Sequence, residues 1–169
     1  QEHHAEVLFT PTPVDLYDAL SHVWCADTCA PRMRQNWAKE NMTLGQCSIT
    51  AFLAQDIFGG KVYGILRPGG NYHCYNVIRD CRFDLTSEQF GDEVLDYEEN
   101  PEQFREVHFA KEEKRMRYEK LKEELKKTLA ARNMEVEDVG AFNAESSDYP
   151  DFACEVARRV SDGEADQGL

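Results

Sequence analysis

The stretch from Asn41 to Gly60, NMTLGQCSITAFLAQDIFGG, constrains this chain more than any other. Ile49, Phe52, Leu53 and Ile57 recur at the spacing of one helical face. The pattern predicts a helix from about Gln46 to Phe58, entered by a tight turn at Leu44-Gly45. The pair Gly59-Gly60, directly after the last apolar residue, is a C-terminal stop. Cys47 then falls in the first turn, where unpaired backbone N–H groups and the helix dipole stabilise a thiolate.

Around this helix the chain divides into an extended arm (1–13), an α+β domain (14–132) and an acidic C-terminal segment (133–169). Val14, Leu16, Leu20, Val23 and Trp24 suit an amphipathic helix running to about Trp24. Cys25 to Arg34 reads as loop, broken by Pro31, and Trp37 and Asn41 lie just ahead of the cysteine helix. Lys61–Arg67 alternates as a strand, Pro68-Gly69-Gly70 turns it, and Asn71–Ile78 is the next strand. After a turn at Arg79-Asp80-Cys81, residues 82–85 make a short third strand. Thr86 and Gln89 have the spacing of a capping box. Pro101 to about Ala131 reads as one long helix with Phe104, Val107, Met116, Tyr118, Leu121, Leu125 and Leu129 on its apolar face. That face would pack on the sheet or join two copies, so the oligomeric state is open. Helices followed by an antiparallel sheet indicate an α+β fold.

The net charge of −13 argues against nucleic-acid or anionic-membrane partners. Residues 133–169 hold ten acids and two arginines, so most of the excess is there and the segment is expected to be mobile. No apolar run approaches the roughly 18 residues that span a bilayer. Residues 1–9 show no basic region followed by an apolar stretch, so no export signal is visible. The six cysteines, thinly spread over a chain able to build its own core, read as free thiols in a reducing, cytoplasmic setting.

The chemistry-bearing candidates follow from these placements. Cys47 is a candidate nucleophile, against the plainer reading of a small buried apolar residue. His73, on the second strand, is the candidate base, because its pKa is close to physiological pH. Asp84 and Asn76 are alternative orienters of that histidine. With Asp80-Cys81 as a two-residue hairpin loop, Asp84 would sit opposite Val77, four residues or roughly 13 Å along the strand from His73. Asn76 has an odd offset and would point to the other face. The Gln46 amide, with the Cys47 backbone N–H, is a candidate oxyanion holder. Trp37, Asn41 and Tyr72, with Asn76, are candidate substrate contacts. Cys25 and Cys29 have the spacing of half a zinc site, which Cys74 and Cys81 would complete, although Cys74 is mid-strand and the preferred reading has no metal and no cofactor.

These residues, in this order, resemble the YunG-like family. The match rests on Trp37, on residues 45–51 (GQCSITA) and 55–60 (QDIFGG), and on His73-Cys74-Tyr75-Asn76 and residues 84–90 (DLTSEQF). It spans roughly Leu16 to Leu129. Cys74 and Cys81 depart from the family pattern, which has an aromatic residue and a glycine there. Such proteins look like members of the papain/transglutaminase-like group. The resemblance implies a nucleophile at Cys47, a base at His73, an orienter at Asp84 or Asn76, and a small-molecule or peptide substrate with an amide or acyl bond. Two other functions stay open beside the enzyme: a non-catalytic ligand- or peptide-binding module using Trp37, Tyr72 and His73, and a zinc-stabilised interaction protein.

Overall fold

A computed structural model describes residues 11–131. The proposed C-terminal segment, and all but the last residues of the arm, lie outside that range. The first helix, α1 (Pro13–Leu20), starts on the arm's last proline. Thr12 caps it, accepting from the Asp15 N–H at 3.1 Å while the Asp15 carboxylate accepts from the Thr12 N–H at 2.8 Å. Thr-Pro-x-Asp is thus a capping box with proline at the tolerant first position. The helix ends before the expected Trp24. Val23 and Trp24 are nevertheless buried, and the Trp24 indole N–H donates to Thr50 Oγ1 at 3.0 Å. Short 3₁₀ turns at Ala26–Thr28 and Pro31–Asn36 occupy the segment read as loop.

Helix α2 (Cys47–Phe58) is where the sequence places it, with Gln46 as the N-cap. It is buried on nearly every side, including Ser48, Thr50, Ala51 and Ala54, because it lies between a sheet and two helices. Gly59, at φ 84°, takes the chain out of the helix, and its N–H closes the last turn on the Gln55 carbonyl.

The antiparallel sheet has the order β3-β2-β1-β4, with β1 Lys61–Leu66, β2 Tyr72–Ile78, β3 Cys81–Phe83 and β4 Glu102–Gln103. Cys74, Asn76, Val62 and Phe83 share the face turned to α2. Cys74, Val62 and Phe83 join its core, Phe83 meets Phe58 edge-on, and the Asn76 amide donates to the Ala51 carbonyl at 2.9 Å. The opposite face carries His73 and Tyr75 and is covered by the segment between β3 and β4, through Phe90 and Tyr97.

The expected long helix is three elements. Residues 102–103 pair with β1, the next residues form the one-turn helix α3 (Arg105–His108), and only α4 (Glu112–Ala131) is long. Local propensity favours helix from Pro101, but β1 would otherwise present an open edge, and pairing satisfies its backbone groups. Phe104 and Val107 are therefore exposed. The buried stripe of α4, Tyr118, Leu121 and Leu125, packs on α2 rather than on the sheet. Asp56 ties these parts together, accepting from Arg105 at 2.7 Å and also from the Tyr118 hydroxyl. No helix among the described residues is long and apolar enough to cross a membrane.

Gly45 has no tolerance for a side chain. Its φ is +71°, and an added methyl would lie 2.5 Å from Cys29 Sγ and 2.9 Å from the Ala30 nitrogen. Gly45→Ala should destabilise the protein by about 2 kcal/mol or more, read as a lower urea midpoint. An unchanged midpoint would mean that this turn is not formed as described.

Candidate functional site

The α2 N-terminus and the first residues of β2 meet at Cys47. Its Sγ lies 3.7 Å from the Tyr72 carbonyl oxygen, a weak contact that only the thiol makes as donor. Two other neighbours favour the thiolate. The Cys74 S–H hydrogen-bonds to the Cys47 sulfur, and the charge that the His73 imidazole can carry adds to its effect. Together they pull the Cys47 thiol well below its ordinary value, against burial, which pushes it up. Cys74 moves the opposite way, raised by that same hydrogen bond and by burial. Of the two sulfurs, Cys47 is the one to lose the proton, because it alone starts a helix.

His73 is 2% exposed and held from one side. Its Nε2–H donates to Asp84 Oδ2 at 2.7 Å, while Nδ1 is buried with no hydrogen-bond partner. Burial alone would lower the His73 pKa; the Asp84 carboxylate and the Cys47 sulfur overcome it and raise it to about 10. Asp84 is itself fixed by the Thr86 N–H at 3.1 Å and the Tyr97 hydroxyl at 2.8 Å. Phe90 stacks edge-on against the imidazole, with ring centres 4.7 Å apart.

The expected separation of Asp84 from His73 is corrected by the hairpin register. The turn is Arg79-Asp80, with Ile78 paired to Cys81 and Asn76 to Phe83, so Asp84 follows on opposite Tyr75. It is then diagonal to His73 on the same face, within side-chain reach. Arg79 makes this turn at φ 56°, a conformation its residue type does not announce. Of the two alternatives, Asp84 contacts His73, and Asn76 faces α2. Thr86 uses its N–H on Asp84, so the capping box expected with Gln89 does not form.

The other sequence candidates separate. Gln46 is fully buried, and its amide donates to the Cys25 carbonyl at 3.0 Å instead of lining the cavity at Cys47. The Trp37 indole donates to the Met42 carbonyl at 3.0 Å and braces the loop ahead of α2, and Asn41 bridges to Ala38. Tyr72 lines the cavity; Trp37, Asn41 and Asn76 do not. Cys25, Cys29, Cys47 and Cys74 are free thiols, but Cys81 is disulfide-bonded, which corrects its reading as free. With Cys74 engaged at Cys47, the four supposed zinc ligands do not form one cluster. Among the described residues no group of three or more His, Cys, Asp or Glu is placed to hold a metal.

Cys47 and His73 open into a cavity of about 700 Å³ whose far wall comes from α3 and α4. His108, read from sequence as part of the long helix, sits in that wall. Its Nδ1 accepts from Lys114 Nζ at 2.9 Å, so its Nε2–H donates to Gln103 Oε1 at 2.9 Å. Burial, then the adjacent ammonium, lower the His108 pKa to about 4 and keep the ring neutral. Tyr97, Phe90, His108 and Lys114 carry no local sequence signal, since only the fold brings them to the cysteine.

No solved structure matches the chain. A family model described as "Ribose/Galactose Isomerase" matches residues 108–169, less than half of the chain. "Uncharacterized protein YunG" of Bacillus subtilis (strain 168) is 43% identical over 54 residues, which are 32% of this chain and 46% of that protein. The chain thus spans about half the length of this relative. The model described as "YunG protein" matches residues 12–130, from the cap of α1 almost to the end of α4, and the chain therefore belongs to the YunG family.

Proposed function

We propose that this protein is a cysteine-dependent enzyme acting on an amide or acyl bond, as hydrolase, deamidase or acyltransferase. The carrying observation is His73: one nitrogen is held by Asp84 at 2.7 Å, and the other is buried without a hydrogen-bond partner beside the thiol that starts α2. That is the arrangement a thiolate–imidazolium pair requires. It also suits the papain/transglutaminase-like resemblance drawn from the sequence.

In the resting state Cys47 is thiolate and His73 imidazolium. The thiolate attacks the substrate carbonyl carbon and forms a C–S bond, and the carbonyl π electrons move to oxygen. The backbone N–H groups at the start of α2 stabilise that oxyanion, since the first turn has no intrahelical acceptor for them. As the carbonyl re-forms, the leaving amine or alkoxide departs with the proton of His73, leaving a thioester and neutral imidazole. Neutral His73 then takes a proton from water or from an acceptor amine or alcohol. That nucleophile expels the Cys47 thiolate and releases acid or transferred acyl product. Asp84 holds the ring in orientation and stabilises its charge, and Gln46 supports the turn beneath.

A chromogenic p-nitrophenyl ester tests this reading. The wild-type protein should release a burst of nitrophenol and gain an acyl adduct at Cys47 in intact-mass analysis. Cys47→Ala should show neither, and His73→Ala should acylate about 100-fold more slowly. A burst that persists in Cys47→Ala would overturn the proposal.

A further inference from the structure

We infer that the cavity at Cys47 binds an anionic group, a carboxylate or phosphate, through Lys114 with Arg32 and Lys111. If the enzyme reading of Cys47 holds, on which this step to substrate rests, the acyl or amide substrate carries that anion close to its reacting carbonyl.

The chain has a net charge of −13, yet this cavity inverts the sign. Arg32, Arg67, Lys111, Lys114 and Arg117 line it, and Glu113 is the one carboxylate among the lining residues. Two of the cations are already neutralised. Arg67 is held by both oxygens of Glu93 at 2.9 and 3.0 Å, and Arg117 by Glu113 at 2.7 Å and the Thr28 carbonyl at 2.9 Å. Lys114, Lys111 and Arg32 have no carboxylate partner among the described residues.

Lys114 decides the matter. It is half-buried, where an ammonium without a counter-ion is costly. Its described hydrogen bond, to neutral His108, leaves the positive charge uncompensated. Burial lowers its pKa, as expected of an ammonium awaiting an anion. It lines the same cavity as Cys47, and its charge and that of a Cys47 thiolate favour each other. The buried, unpartnered Nδ1 of His73 in the same wall and the α2 N-terminus behind Cys47 favour negative charge in the same space.

The test compares two alkylating agents of nearly equal size, anionic iodoacetate and neutral iodoacetamide, at Cys47. Their rate ratio cancels the thiolate fraction and reports the local field. Relative to glutathione, the ratio at Cys47 should favour iodoacetate by about tenfold, since a few nearby cations each contribute a severalfold preference. Lys114→Gln should reduce it about fivefold, a change separate from any loss of thiolate, which slows both agents alike. The double variant Arg32→Gln/Lys111→Gln, altered at exposed side chains, should reduce it about threefold and serves if Lys114→Gln does not fold. A wild-type ratio no higher than that of glutathione overturns the inference. So does a high ratio that these substitutions leave unchanged, which would assign the field to His73 alone. Slow alkylation by both agents with the ratio still high supports the anion site while telling against the activated nucleophile.

Discussion

Iodoacetamide should alkylate Cys47 with a pH profile whose midpoint lies well below the free-thiol value of about 8.5. At pH 6.5 an ordinary thiol is about 1% ionised. Cys47, held well below the usual thiol range by Cys74 and His73, is ionised to a far larger extent at that pH. Lower basicity makes each thiolate less reactive, which offsets only part of that gain. Cys47 should therefore react severalfold faster than glutathione at pH 6.5. His73→Ala should raise the midpoint and remove that advantage. Asp84→Asn should do so in part, and it adds a signature in stability. Because the His73 pKa is raised, its contribution is complete below the unfolded value of about 6.5 and is lost as pH climbs through about 10. The stability gap between wild type and Asp84→Asn should therefore be widest below pH 6.5 and close toward pH 10. A Cys47 midpoint at or above 8.5 would exclude the resting ion pair.

Phe52→Ala should cost about 3–5 kcal/mol, a large share of the 5–15 kcal/mol that stabilises an ordinary domain. The side chain is fully buried in the middle of α2. Phe109 meets its ring edge-on at 5.5 Å, His108 lies at 5.2 Å, and the Arg105 guanidinium sits 5.5 Å from its ring centre. The truncation removes one wall from each of these contacts, and the surrounding helices are too well tied through Asp56 to collapse into the gap. Phe52→Leu, which keeps much of the volume, should cost less than half as much. Urea unfolding checks both. A loss under about 1.5 kcal/mol for the alanine variant would mean that α3 and α4 do not seat on α2 as described.

The α2 helix was legible because its apolar spacing and terminal glycines are local signals that agree with its packing. The placements of Cys47 and His73 were legible for the same reason: one begins that helix and the other lies on a strand rich in aromatic and β-branched residues. Their connection was not. It depends on a hairpin turn formed by Arg79-Asp80, and a one-residue change in that turn decides whether Asp84 reaches the imidazole. The break in the long helix was hidden because edge pairing with β1 is a tertiary demand that outweighs local propensity. The cavity cations come from positions 32, 67, 111, 114 and 117; the last three recur at helical spacing, but nothing local says whether that face meets solvent or the cysteine. Buried Gln46 shows the converse, since a polar residue beside a candidate nucleophile looks functional until its hydrogen bond to Cys25 is seen.

Gly64 lies mid-strand on β1, and a methyl group there would come within 2.9 Å of the Gln103 side chain. Gln103 holds His108, and His108 holds Lys114, so the empty space at Gly64 is the first link of a chain that ends in the cavity wall. Four residues on four different elements would thus be inherited as a unit: a drift at one would favour compensating change in the others. For anyone altering ligand preference, position 64 offers a handle on the wall that requires no substitution at Cys47, His73 or Asp84.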